Sequence, residues 1–263
     1  MERKAIAVLF FLVSLLIASC SKMDQLFNNG EPITERRDLD NSFSAISMFN
    51  NVNVKLIQSD HPHLELTCPK NLIEKVTTEI EGDTLVIKNE NDHNWLRSYD
   101  YEINLTVYYD SLQVINYASI GDLISVDPIC GYGEASVDST DLGIDTVTIR
   151  SINININEGC GKIDLAFESN VVKCIFGNGT SEVTLKGRSA YTEIIMRSYG
   201  VVHAEELNSN FVRVQSTSTN DAYVWARTKL TVWLYSIGNV YYRGNPWIVK
   251  ECTGEGQVIK LQP

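Results

Sequence analysis

Cut at intervals of 20, 19, 20 and 18 residues, the C-terminal half of the chain lays five apolar-x-apolar steps over one another: Ile163-Asp164-Leu165, Val183-Thr184-Leu185, Val202-His203-Ala204, Ala222-Tyr223-Val224 and Val240-Tyr241-Tyr242. A unit this short cannot bury its apolar face alone, so the repeat predicts stacked units that share one interior. A second set of strand-like runs, at 171–176, 191–196, 211–215 and 230–234, starts at intervals of 20, 20 and 19 residues. Bend formers stand between the sets: Gly159, Gly161, Gly177, Gly179, Gly187, Gly200, Asn208, Asn210, Asn220, Gly238 and Gly244. Two strands of about five residues, at roughly 3.3 Å per residue, and two bends close a flattened coil of about 20 residues. The expected fold is therefore all-β, a parallel β-solenoid (β-helix) with two main walls and about 20 residues per rung.

Ahead of the rungs, residues 39–58 alternate as strands do, with Phe43, Ile46, Val52, Val54 and Leu56 inward and a turn at Asn50-Asn51. One helical turn is expected within 69–75, and a hairpin is expected around the Gly82-Asp83 bend. These strands and a final strand at 257–261 serve as caps on the open ends of the stack. Isoleucines alternate with asparagines from Ile152 to Asn157, which predicts an Ile face in the core and an Asn face in solvent.

The N-terminus carries Arg3 and Lys4, then an apolar run from Ala5 to Ile17, the pattern of an export segment. Leu16-Ile17-Ala18-Ser19-Cys20 resembles the bacterial lipobox, which implies cleavage before Cys20 and acylation of that residue. The expected organisation is a signal peptide at 1–19, an acylated tether at 20–35, N-terminal strands and cap at 36–111, and rungs at 112–263, with 36–263 one continuous domain. Ser21 follows the cysteine, which favours the outer membrane, facing either the periplasm or the surface. Net charge is -11, and no basic run is denser than Arg36-Arg37, which excludes nucleic acid and argues against polyanions.

The residues 37–39, 43–46 and 52–58, the Asp83-Thr84-Leu85-Val86-Ile87 run, the Ser119-Ile120-Gly121 and Ser236-Ile237-Gly238 bends, and 240–246 resemble the head GIN domain of auto-transporter adhesins, a family of unknown function common in bacterial lipoproteins. The resemblance implies that the solenoid is right-handed and sits on an exported protein. It supplies no catalytic residue.

Chemistry is sparse. Asp122, Asp127, Asp138, Asp141 and Asp145 would have to serve a polysaccharide lyase or hydrolase, yet they are spread out and match no β-helix hydrolase constellation. His61 and His63 flank a proline without a third ligand, and no calcium nonapeptide motif occurs. Five cysteines remain besides Cys20; Cys160 and Cys174 read as small buried hydrophobes. Neither a cofactor nor a metal is expected. Trp225, Trp233, Tyr235, Tyr241, Tyr242 and Trp247 crowd the last two rungs with Arg227, Lys229 and Arg243 among them. Such rings either bind a ligand or cap and fill the end of the stack. The expectation is a non-enzymatic, adhesin-like or structural envelope lipoprotein that binds glycan or protein along a wall. A carbohydrate-active β-helix enzyme is the alternative, and a scaffold that forms homo-oligomers through its walls or ends is a third.

Overall fold

The computed structural model describes residues 28–91, 101–131 and 150–262. Cys20, Asp138, Asp141 and Asp145 lie outside them. The strands are β1 (Pro32–Asp38), β2 (Ala45–Asn50), β3 (Asn53–Gln58), β4 (His63–Pro69), β5 (Val76–Glu81), β6 (Thr84–Asn89), β7 (Asn104–Tyr109), β8 (Val114–Ser119), β9 (Leu123–Ser125), β10 (Ser151–Gly159), β11 (Lys162–Phe176), β12 (Glu182–Met196), β13 (Val201–Ser216), β14 (Ala222–Leu234), β15 (Val240–Arg243), β16 (Trp247–Cys252) and β17 (Val258–Lys260). A 3-10 turn, Ile73–Lys75, precedes β5.

A phase change inside the long strands shapes the C-terminal half. On β11, Ile163, Leu165, Phe167 and Val171 are buried, and then Val172, Cys174 and Phe176. Side chains alternate along a strand, so two successive buried residues mean that the strand turns a corner and sends both legs to the same core. The same step falls at Tyr191 and Thr192 on β12. At the corner, Ser169, Ser189 and Ser209 are paired in register. Ser209 Oγ lies 2.6 Å from Ser189 Oγ and 2.7 Å from Thr192 Oγ1, so the buried hydroxyls satisfy one another.

The five repeated steps are register partners. Ile163 pairs with Val183, Val183 with Val202, Val202 with Ala222, and Ala222 with Val240, all in parallel. In the second legs Val171 pairs with Tyr191, Tyr191 with Phe211, and Phe211 with Lys229, one residue before the expected start at 230.

The expectation of a right-handed parallel β-solenoid with two walls is corrected by the pairing. The described residues form one mixed sheet of seventeen strands. Its N-terminal part is antiparallel at β1–β4, β4–β7 and β5–β6. The physical cause is local at β5–β6: Gly82 adopts φ 64°, Glu81 pairs with Thr84, and so tight a turn returns the chain antiparallel beside itself. Nor do two short strands alternate with bends in the four repeats before the last. From β11 to β14 the pairs run together as continuous strands of 13 to 16 residues, with Asn208 and Asn210 inside β13 and Gly187 inside β12, while the last repeat keeps two short strands, β15 and β16. Gly187 has φ 98°, and a Cβ there would lie 2.2 Å from the Phe167 carbonyl oxygen.

One cluster of buried residues extends from Phe43 to Val240 and takes in Ile46, Val52, Val54 and Leu56. Ile152, Ile154 and Ile156 are fully buried, while Asn155 donates through Nδ2 to Asn116 Oδ1 at 2.9 Å and Asn116 to Ser47 Oγ at 3.1 Å. The Asn face is thus an outward hydrogen-bonded ladder. β1 begins at Pro32, inside the segment expected as tether, and pairs with β4. All five described cysteines are free: Cys174 is buried as expected, but Cys160 is exposed. Its neighbour Gly161 takes the crowded position, where a Cβ would meet the Gly121 carbonyl at 2.3 Å, so the Cys160 side chain faces out.

Candidate functional site

The aromatic residues at the C-terminal end divide by the leg that carries them. Tyr223 and Tyr241 stand on the first legs, outward and in register, and stack at 4.9 Å with an interplanar angle of 11°. His203 extends the stack at 4.9 Å from Tyr223. Rings stacked this way cover each other's faces and offer mostly edges to solvent, which is poor geometry for a sugar ring. Tyr242 packs partly buried against the core.

Trp233 and Trp247 lie on the second legs, on β14 and β16, and so on a different side of the molecule. The Arg213 guanidinium sits 5.1 Å from the Trp233 ring centroid, and Lys229 Nζ sits 5.8 Å from that of Trp247. These are cation–π contacts between neighbouring strands. Arg213 also meets Glu193 at 3.7 Å, and Glu193 meets Lys173 at 3.5 Å, which continues an outward charge ladder. Tyr235 falls in the bend after β14 and is exposed, as is Trp247. The six residues read together in the sequence therefore do not form one site.

Trp225 has a different setting. It makes no ring stack among the described residues and borders an open groove of about 650 Å³ with Arg243, Gly244, Asn245, Lys260, Leu261 and Gln262. Three strands build it: β14 brings Trp225, β15 ends at Arg243 in register with Trp225, and β17 ends at Lys260 in register with Tyr242. Gly244, at φ 98°, holds the following loop against β14; a Cβ there would lie 2.1 Å from the Ala226 carbonyl oxygen. Lys260 Nζ donates to Asn245 Oδ1 at 2.5 Å, and Arg243 Nη1 to the Glu205 carbonyl oxygen at 3.4 Å. Among the described residues, no acidic side chain lines the groove. Asn245, Lys260, Leu261 and Gln262 were not among the residues expected from sequence; the 18-residue step from Tyr242 to Lys260 is the signal that leads there.

Of the acidic candidates, Asp122 and Asp127 lie among the described residues, and Asp122 is held by structural partners. Asp122 accepts the Lys162 N–H at 2.9 Å through Oδ1, while its own N–H donates to Asn53 Oδ1 at 3.0 Å. These are caps between stacked strands. Asp127 is exposed. His61 is exposed in the turn, whereas His63 belongs to β4 and stacks on Tyr108 at 4.1 Å. No group of three or more His, Cys, Asp or Glu placed to hold a metal occurs among the described residues.

A family profile described as "Putative auto-transporter adhesin, head GIN domain" matches residues 42–246. The chain belongs to this family. Among solved structures, a putative adhesin from Bacteroides fragilis NCTC 9343 is 16% identical, with a TM-score of 0.73 over 89% of this chain and 100% of that one. A putative lipid binding protein from Parabacteroides distasonis ATCC 8503 is 19% identical, with a TM-score of 0.60 over 90% and 99%. A putative adhesin from the same strain is 15% identical, with a TM-score of 0.57 over 89% and 99%. At these identities the likeness is one of fold. A search of curated proteins finds none that matches. The head GIN match spans every strand from β2 to β15, so most of the sheet described above is the family's own.

Proposed function

We propose that the chain is a non-enzymatic cell-envelope lipoprotein, anchored through an acylated Cys20 in the outer membrane, that binds glycan or protein in the manner of an adhesin. The observation that carries this reading is the groove at Trp225, where an aromatic side chain, two cations and amide groups meet on the surface with no acid among them. Membership of a family described by adhesion is consistent with it. One fold neighbour is named for lipid binding. Here the interior is filled by fully buried side chains such as Tyr117, Phe167 and Phe176, which favours a ligand held on the surface.

Arrays of glycans and of extracellular proteins, probed with the purified full-length chain, test the reading, together with an assay for new reducing ends. Saturable binding without product is expected. Product release abolished by Asp122→Asn would replace the adhesin with a carbohydrate-active enzyme. On intact cells, antibody access to the chain separates surface display from periplasmic burial, and Cys20→Ala should move the protein out of the membrane fraction.

A further inference from the structure

We infer that the groove at Trp225 binds a terminal sugar that carries a carboxylate. This rests on the ligand-binding reading above and names the ligand class. Among the described residues, every charged side chain lining the groove is a cation, Arg243 and Lys260. Asn245 Oδ1 accepts from Lys260, so the amide nitrogen of Asn245 is the donor it can offer a ligand, and Gln262 adds a further amide. Glu205, the nearest acid to Arg243 in the hydrogen-bond pattern, offers it only the backbone carbonyl, while its carboxylate Oε1 lies 3.3 Å from His203 Nδ1. A guanidinium fork, an ammonium and amide N–H groups together match a carboxylate, and an indole supplies apolar surface for a sugar ring.

The rest of the molecule sets the length of the ligand. A net charge of -11 repels a long polyanion, but charges more than about 8 Å away are largely screened at physiological salt, so the two cations act locally. A single acidic residue at a chain end fits this arrangement, and a groove of about 650 Å³ lies within the usual small-ligand range.

Calorimetry of the full chain with cellobiouronic acid and with cellobiose, which share a skeleton and differ by one carboxylate, decides the matter. The acid should bind at least about tenfold more tightly, as one or two charge-assisted hydrogen bonds allow. Lys260→Gln and Arg243→Gln should bring the acid toward the neutral sugar. Trp225→Leu should weaken both, and added salt should weaken only the acid. Equal affinity for the two sugars, or unchanged acid binding in a folded Lys260→Gln protein, overturns the inference. Binding of neither sugar, with a ligand found on the arrays, overturns this site and leaves the adhesin reading standing. Silence of every array would remove that reading itself.

Discussion

Tyr223 and Trp225 stand two residues apart on the same face of β14, and they meet different fates. Tyr223 is stacked between His203 and Tyr241, whereas Trp225 opens onto a groove. The difference follows from register. A residue whose neighbours at the repeat distance are also aromatic is absorbed into a ladder that holds the sheet together; one paired with Asn208 and Arg243 is not. An aromatic cluster in a stacked sheet is therefore judged by its partners one repeat away rather than by its neighbours in sequence.

The contrast between the shared interior and the groove can be broken most forcefully in the core. Leu185 is fully buried, and Leu185→Ala should cost about 2–5 kcal/mol in urea unfolding. Leu261→Ala at the groove rim, half-buried, should cost under about 1 kcal/mol. Alkaline pH is next. Burial pushes the Cys174 thiol up from 9.0 to about 12, and the buried Cys68 and Tyr117 move the same way, to about 11 and about 12. Below pH 9 the Cys174 thiol is neutral in both folded and unfolded chains, so nothing is lost. Between pH 9 and 12 only the unfolded chain ionises, and stability should fall by roughly a few kcal/mol. Cys174→Val should flatten part of that slope, and thiol reagents should label Cys160 and Cys252 while sparing Cys174 until unfolding.

Smaller effects sharpen the comparison on the outer faces. Tyr223→Leu interrupts the ring stack and should cost roughly 1 kcal/mol in thermal or urea unfolding. Glu193→Gln leaves Lys173 and Arg213 facing each other across the second legs. It should cost about 1 kcal/mol or less, and the loss should shrink in high salt.

How much of this was legible in the sequence depends on whether a signal repeats. Ile163, Val183, Val202, Ala222 and Val240 announce an all-β stack because burial recurs at each step, and each pairs with the next. The antiparallel β4–β7 and β1–β4 pairs leave no such trace, since alternation in each strand is the same whichever neighbour it takes. In the sequence the corners look like breaks between strands because Asn208 and Gly187 are bend formers by type, although the buried serines carry the pairing across. The six aromatic candidates are neighbours in sequence, yet the corner between Trp225 and Trp233 sends those two to different sides. Lys260 reaches the groove from 35 residues beyond Trp225, a distance at which only the repeat spacing connects them.

The most direct test sets Trp225→Leu beside Tyr241→Leu and measures, for each, the melting temperature and the affinity for the acidic disaccharide. The account predicts that Trp225→Leu loses binding at a nearly unchanged melting temperature, and that Tyr241→Leu melts earlier but still binds. The reverse pattern, with the stacked tyrosine needed for binding and the tryptophan needed only for stability, would contradict it.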